Sequence, residues 1–195
     1  AFVRALARRH EVTLLTLAGR EDARLDIPRL THLTARVEEP NLLRRALQFG
    51  DAVEEHLDAH DYDLVHVRSP WEGVRACLAK RYKRHAVCYE LNGLPSIELP
   101  SHYPAVGQRK RLLHKLRQDE LLCMKLADRI VTPSRVTADY IAQQEIPAEK
   151  VTVIPNGVDT ELFHPDSGSA DDLRELLYVG TLAPWQGLEL LMRAM

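Results

Sequence analysis

The residues best suited to chemistry follow short apolar runs of the kind that form strands. Glu90 lies near the end of the run 85–91 and is followed by Asn92 and Gly93, while Ser134 follows a later run. In parallel sheets covered by helices, ligands bind beyond the carboxyl ends of the strands. A carboxylate there can accept a hydrogen bond from a hydroxyl group or stabilise a cationic transition state. Glu90 is therefore the candidate catalytic residue. The structural alternative is that it caps the next loop or pairs with an arginine.

Two loops that contain glycine supply further candidates. Asn156 and Gly157 follow the apolar run 150–154, and both tolerate positive φ, so the pair predicts a sharp turn that presents backbone amides. Gly180 and Thr181 lie between a strand pattern and a helix pattern. This arrangement directs amides at an anion such as a diphosphate. An ordinary strand-to-helix turn explains the same pattern.

Three other polar residues have structural explanations. His66 lies in the middle of a strand pattern, which predicts a hydrogen-bonded core histidine. Glu120 lies in a helix pattern and is expected to be solvated or ion-paired. Ser134, which we keep as a candidate for substrate binding, stands directly after Pro133 where a helix N-cap is expected.

Composition excludes several classes of protein. The 195 residues include 26 Lys and Arg against 28 Asp and Glu, and the formal net charge of −2 offers no global positive field to hold a nucleic acid. The mean hydropathy is −0.27, and nowhere do about 18 apolar residues follow one another, as a membrane-spanning helix requires. The three cysteines form no Cys-x-x-Cys pair, so we predict no metal site, and reduced thiols in a cytoplasmic protein.

The elements that must position the candidates alternate between strands and helices. Strand patterns occupy 11–17, 63–67, 85–91, 129–132 and 150–154, and helix patterns occupy 2–7, 42–60, 70–81, 106–127 and 133–144. Ser69, Pro70 and Glu72 have the spacing of an N-terminal capping box with proline at the first helical position. This alternation predicts an α/β fold, a Rossmann-like, doubly wound parallel sheet covered on both faces.

The composition also indicates where domains begin and end. Residues 1–165 form the predicted first domain, and the small, acidic stretch 166–175 is a predicted linker. Residues 176–195 begin a second unit, with a strand at 176–179 and a helix from Gly187. The first and last residues both fall inside helix patterns, so we expect the chain to be a fragment of a longer protein.

A basic stretch at 108–117 combines five cations with leucines at helical spacing. Such a segment can contact anionic lipid headgroups, at about 1 kcal/mol for each cation near the surface. A solvated helix face is the alternative.

Four segments resemble one protein family. Residues 151–165 read V-T-V-I-P-N-G-V-D-T-E-L-F-H-P, which closely resembles the inter-domain segment V-x-V-I-P-N-G-V-D-x-x-x-F-x-P of family 4 retaining glycosyltransferases. Residues 127–134 are similar to the family's A-D-x-V-V-x-x-S, and residues 179–187 to V-G-x-L-x-x-x-K-G. Residues 6–12 resemble L-x-x-x-G-H-E-V. The resemblance follows the family's order along nearly the whole chain but reaches only the N-terminal half of its members.

The resemblance implies a GT-B fold, in which two Rossmann-like domains bind the acceptor and a nucleotide-sugar donor. Residues 1–165 would be the acceptor domain and 176–195 the start of the donor domain. The parent would transfer a sugar, with retention at the anomeric carbon, to a glycan or lipid-linked acceptor in polysaccharide, glycolipid or cell-envelope synthesis. It would need no cofactor besides the donor as co-substrate. Its expected place is the cytoplasm, with peripheral contact at the inner face of the cell membrane.

Two departures from the family pattern concern the site. Many members have Arg and Lys for the donor diphosphate where this chain has Thr181 and Gln186, which can donate hydrogen bonds but carry no charge. Many members place a sugar-proximal His where this chain has Glu90. The predicted substrate-binding set comprises Asn92, Gly93, Ser134, Asn156, Gly157, Gly180, Thr181 and Gln186.

Two other functions stay open on the sequence. A nucleotide-sugar epimerase of the GT-B type has the same architecture. A non-catalytic binding or scaffold module is consistent with the missing donor half. Because the resemblance implies that almost all of the donor domain is missing, we expect the chain by itself to have no transferase turnover.

Overall fold

The computed structural model describes residues 2–19, 25–164 and 177–195, and its strands form two sheets in which every pair is parallel. The smaller sheet pairs β1 (Val12–Leu17) with β2 (Leu30–Ala35). The larger sheet has the order β3-β4-β5-β6, formed by Leu64–Val67, Ala86–Glu90, Arg129–Thr132 and Val151–Val153. Parallel strands connected by helices confirm the predicted Rossmann-like α/β class.

Eight α-helices lie in the described part of the chain. They are α1 (Phe2–Ala7), α2 (Leu42–Ala59), α3 (Pro70–Ala79), α4 (Pro95–His102), α5 (Pro104–Gly107), α6 (Lys110–Leu126), α7 (Arg135–Ala142) and α8 (Leu188–Ala194). Short 3-10 turns occupy Ala148–Lys150 and Pro184–Gln186.

Local side-chain contacts fix the beginnings of α2 and α3. The Oδ1 atom of Asn41 accepts hydrogen bonds from the backbone amides of Leu43 and Arg44, both at 3.1 Å. At α3 the Glu72 carboxylate accepts from the Ser69 amide at 2.8 Å and also contacts the Ser69 hydroxyl. Amides of a first helical turn have no partner within the helix, so these contacts determine where each helix begins.

The core lies on one face of the larger sheet. Val67, Val87, Tyr89 and Ile130 alternate along three neighbouring strands and are at most 3% exposed. Residues from α2, α3, α6 and α7 pack with them in one cluster. Close approach between helices needs glycine, since a Cβ on Gly73 of α3 would lie 2.8 Å from the Cys123 Sγ atom of α6.

The opposite face of the sheet is less well covered. It carries His66, Cys88 and Glu90, which are only half-buried. The predicted cover on both faces is therefore incomplete in the described residues. This leaves polar side chains of β3 and β4 accessible to solvent.

Several elements differ from the sequence prediction. β2 and α4 were not predicted, and α4 contains Pro100 in its interior. The predicted helix 106–127 is divided into α5 and α6 after Gly107, a poor helix former. Residues 177–179 are not in a strand, because no strand of the described chain lies beside them to pair with. The predicted linker 166–175 lies outside the described residues.

Candidate functional site

The candidate site lies at the carboxyl ends of β3 and β4. The parallel register pairs His66 with Cys88, and Glu90 is two residues further along β4, so His66 and Glu90 share one face of the sheet. Arg68 directly follows β3, and Asn92 lies just beyond β4. We refer to His66, Arg68, Glu90 and Asn92 as the Glu90 cluster.

Three side chains hold the Glu90 carboxylate. Its Oε2 atom lies 2.8 Å from the His66 Nε2 atom, and its Oε1 atom accepts a hydrogen bond of 2.7 Å from the Asn92 Nδ2 atom. The Arg68 Nε atom lies 3.2 Å from Oε1. The side chains of Glu90 and His66 are 22% and 25% exposed, whereas that of Arg68 is 69% exposed. The carboxylate is thus fixed in direction and still open to solvent.

The surroundings of Glu90 favour its charged form. Partial burial acts to raise the pKa of Glu90, but the hydrogen bonds from Asn92 and His66, together with the charge of Arg68, outweigh burial and lower it. Glu90 is therefore an anion at neutral pH. An anion can accept hydrogen bonds and stabilise positive charge, but it is poorly suited to donate a proton.

Of the structural alternatives for Glu90, the arginine pair is present, with Arg68, and the contact with the next loop is made by the side chain of Asn92 instead of by a backbone amide. Its catalytic role stays a prediction. His66 is hydrogen-bonded, as predicted, but it lies outside the core: its Nε2 atom contacts Glu90, and the Phe2 ring is edge-on to it at 5.2 Å. Sequence reasoning missed His66 and Arg68 as partners of Glu90. The available signal was the alternation of β3 and β4, which places His66 and Glu90 on one face once the strands are neighbours.

The loop after Glu90 packs tightly against α4. Gly93 lies directly against the Glu98 carboxylate, which a Cβ at Gly93 would overlap. The same carboxylate accepts a hydrogen bond of 3.3 Å from the Leu94 amide. Gly93 therefore has a packing role in this loop, and its predicted role in substrate binding stays a prediction.

Of the two alternatives predicted for Glu120, solvated or ion-paired, the structure shows the second. Its side chain is fully buried instead of solvated, and its oxygens accept from the Ser96 backbone amide at 2.7 Å and from the Ser96 hydroxyl at 2.6 Å. The Nη1 atom of Arg117 lies 3.9 Å from Glu120. This distance makes the ion pair a loose one, and Ser96 is the main partner.

Ser134 stands at the N-cap position of α7, as predicted. Its carbonyl oxygen accepts from the Ala138 amide at 3.0 Å, but its hydroxyl makes no capping hydrogen bond. Ser134 lies at the same edge of the sheet as Glu90, beyond the end of β5. A role in substrate binding stays a prediction.

The predicted turn at Asn156 and Gly157 is not formed. Residues 154–159 are exposed and contain no turn, and neither Asn156 nor Gly157 has a positive φ. A Cβ built on Gly157 would meet nothing within 4 Å. Turn-forming residue types are therefore not enough to reverse the chain at this position. The first local turn comes later, where the Phe163 amide donates to the Asp159 carbonyl at 2.8 Å.

The second glycine loop is closed by a tyrosine. The Tyr178 hydroxyl donates to the Thr181 carbonyl at 2.9 Å, and a Cβ on Gly180 would lie 2.7 Å from that hydroxyl. The backbone amide of Gln186 donates a hydrogen bond of 3.0 Å to the carbonyl oxygen of Ala183. These residues form no hydrogen bond or ion pair with the Glu90 cluster in the described part of the chain. Their role at a diphosphate stays a prediction.

The basic stretch 108–117 is only partly a surface patch. Arg117 is drawn inward, where it donates to Gln144 at 2.8 Å and lies over the Tyr140 ring at 4.9 Å. Lys115 pairs with Asp119 at 2.6 Å. The three cations at 109–111 are exposed and have no ion pair among the described residues.

The described residues contain neither a cluster of metal-ligating side chains nor a membrane-spanning helix. No group of three or more His, Cys, Asp or Glu side chains in 2–19, 25–164 and 177–195 is placed to hold a metal ion. Over the same residues, no helix combines the length and apolar character needed to cross a membrane.

Comparison with known proteins identifies the family. The sequence model of Glycosyltransferase Family 4 matches residues 1–162. Comparison with curated proteins finds no match. Similar solved structures include Anabaena Alr3699/HepE in complex with UDP and glucose, with 20% identity and a TM-score of 0.51 over 85% of this chain and 42% of that one.

Two further structures of the same Anabaena protein are also similar. The complex with UDP has 21% identity and a TM-score of 0.43 over 70% of this chain and 32% of that one. The complex with UDP-glucose has 20% identity and a TM-score of 0.44 over 72% and 34%. The chain therefore spans less than half the length of this structural neighbour. The similarity at a TM-score of 0.51 shows the shared fold.

The family model covers more than four-fifths of the sequence, from residue 1 to residue 162 of 195. The parallel sheet and the polar cluster at its carboxyl edge are consistent with that match. The chain belongs to glycosyltransferase family 4.

Proposed function

We propose that this chain is the acceptor-side part of an enzyme that transfers a sugar from a nucleotide-sugar donor to an acceptor hydroxyl. The observation that carries the proposal is the Glu90 carboxylate, which is held by three side chains and open to solvent at the carboxyl edge of a parallel sheet. In a family 4 chain, this is the edge at which a sugar is expected to bind.

The cluster suits the recognition of hydroxyl groups. Each Glu90 oxygen retains acceptor capacity beyond its bonds to His66 and Asn92, and the exposed Arg68 guanidinium has donors left over. An anionic Glu90 can also stabilise the positive charge that develops on a sugar during transfer. We therefore assign Glu90 to stabilisation and orientation of the reacting sugar, with retention at the anomeric carbon.

A transfer assay tests this proposal on the product of the complete open reading frame that contains the chain. UDP-glucose is the first donor to try, because the Anabaena neighbour was solved with it. Products formed from sugar acceptors and from lipid-linked acceptors would support the proposal. Epimerised nucleotide sugar formed without acceptor would replace it with the epimerase, and no conversion of any nucleotide sugar would favour a binding module.

We also propose that residues 109–111 contact anionic lipid at the inner face of the cell membrane, where a lipid-linked acceptor would be presented. Support comes from the exposure of the three cations and the lack of ion pairs with them in the described chain. Tyr103, shortly before them, is 48% exposed. At about 1 kcal/mol for each cation, the patch would contribute about 3 kcal/mol to membrane binding at most.

A further inference from the structure

A buried carboxylate stands behind the loop that carries Asn92. Glu120, in the middle of α6, accepts hydrogen bonds from both the backbone amide and the hydroxyl of Ser96. Ser96 is the second residue of α4, where a backbone amide has no partner within its own helix. Glu120 therefore caps α4 from a different helix.

Stability alone does not explain a carboxylate at this position. Burial raises the pKa of Glu120, and the hydrogen bonds from Ser96 and the charge of Arg117 offset burial only in part. Arg117 is too far, at 3.9 Å, to donate a hydrogen bond to it. A well-packed apolar side chain often stabilises a core as much as a buried charge does. A carboxylate also has two acceptor oxygens, and by binding the amide and the hydroxyl of Ser96 they fix the orientation of the first turn of α4.

The fixed end of α4 is close in sequence to Glu90. Between Glu90 and α4, the Leu91 amide donates a hydrogen bond of 2.7 Å to the Val131 carbonyl. Leu94 is buried, and its amide donates a hydrogen bond to the Glu98 carboxylate. Asn92 is exposed and lies between these anchored residues. Its side chain nevertheless donates to Glu90 at 2.7 Å, so the backbone on both sides must hold it in place.

We propose that Glu120 is a positioning residue for the candidate site: by holding the start of α4 through Ser96, it keeps Asn92 against Glu90 and so orients the Glu90 carboxylate. The consequence for sugar transfer rests on the proposed function. The inference that Glu120 orients the Glu90 carboxylate rests only on the contacts described above.

Three variants separate this role from general stability. Glu120→Ala removes both acceptors for Ser96. Glu120→Gln keeps an acceptor for the Ser96 amide, and its own amide group can donate to the Ser96 hydroxyl. The matched control is Asp128→Ala. The Asp128 carboxylate accepts a hydrogen bond of 2.7 Å from the Val87 backbone amide, as long as the bond from the Ser96 amide to Glu120, but it lies at the amino end of the strands, away from Glu90.

The first readout is the pKa of Glu90, which NMR measures from the side-chain carboxyl carbon signal during a pH titration of the chain. We expect Glu120→Ala to move the pKa of Glu90 up toward its ordinary value, since the bond from Asn92 loosens while His66, Arg68 and Cys88 stay in place. Glu120→Gln should stay near wild type, and Asp128→Ala should not move it. Hydrogen exchange at residues 92–94 should be about tenfold faster in Glu120→Ala.

An unchanged Glu90 titration in folded Glu120→Ala would overturn the proposal, as would an equal shift in Asp128→Ala. If Glu120→Ala does not fold, Ser96→Ala decides, with a smaller upward shift of the Glu90 pKa expected and no shift overturning the proposal. In the complete gene product, Glu120→Ala should lower kcat about 10- to 100-fold with little change in KM. If the wild type shows no transfer, the proposed function fails, and the titration alone decides on positioning.

Discussion

Glu90→Gln keeps the shape of the side chain and removes its charge. The glutamine has one acceptor oxygen in place of two, and its amide nitrogen is a donor. If its oxygen accepts from the Asn92 Nδ2 atom, its N–H faces the His66 Nε2 atom, which donates to the Glu90 carboxylate and can accept only in the other imidazole tautomer. The ion pair with Arg68 is lost in either orientation.

The structural loss from this change is small. One net hydrogen bond contributes about 0.5–1.5 kcal/mol. The Arg68 pair contributes less than about 1 kcal/mol, because the Arg68 side chain is 69% exposed. We expect the free energy of unfolding to fall by about 1–2 kcal/mol and Tm to fall by about 2–8 °C. With a typical stability of about 5–15 kcal/mol, nearly all of the protein remains folded.

The loss of activity should be much larger if Glu90 acts on the transition state. We expect kcat and kcat/KM to fall together by about 10²- to 10⁴-fold, which corresponds to about 3–5 kcal/mol of activation free energy. Thermal unfolding and a single-turnover transfer assay on one sample of the complete gene product measure both quantities. A near wild-type rate beside the expected fall in Tm would refute the catalytic assignment.

Three other predictions concern the fold and its surface. Partial burial acts to raise the pKa of Asp128, but hydrogen bonds from Lys80 and the Val87 amide lower it. Its folded pKa then lies below the unfolded value, so its contribution to stability is present above about pH 4 and lost as pH falls through the folded pKa. Asp128→Asn should flatten this acid dependence in urea unfolding. Gly73→Ala should lower the free energy of unfolding by about 1–3 kcal/mol, because the new Cβ would lie 2.8 Å from a buried sulfur, whereas Gly157→Ala, with nothing within 4 Å, should change it by less than about 0.5 kcal/mol. Replacing all three cations at 109–111 by Gln should weaken binding to anionic vesicles by about 3 kcal/mol at most. Added salt should weaken the same binding. If variant and wild type co-sediment equally with vesicles at low salt, the segment is a solvated helix face and not a membrane contact.

Elements with strong local signals could be predicted from the amino-acid sequence alone. The helix pattern 42–60 corresponds to α2 at Leu42–Ala59, and the run 129–132 is β5. The pairing of Glu72 with the Ser69 amide was predicted from their spacing. These features depend on residues within one or two turns of each other, so the pattern contains most of the information. The family motifs are local in the same sense, and the family match over residues 1–162 confirms the family that they indicated.

Features that depend on partners distant in sequence could not be predicted. Asn156 and Gly157 have turn chemistry, but they form no turn, and a Cβ on Gly157 would meet nothing within 4 Å. β2 is defined by its pairing with β1, and α4 is capped by Glu120, which comes 24 residues after Ser96. In each case the local sequence preference is weak or misleading, and contacts with distant residues determine the conformation.

The candidate site shows the same division. Glu90 could be selected from the sequence because it ends a strand where parallel sheets bind ligands. Its contact with His66 depends on the register of β3 against β4, which places two residues 24 positions apart on one face at 2.8 Å. Register and burial are set by the packing of the whole sheet against its helices. The lowered pKa of Glu90 therefore follows from the tertiary structure, while its position in the strand follows from the sequence.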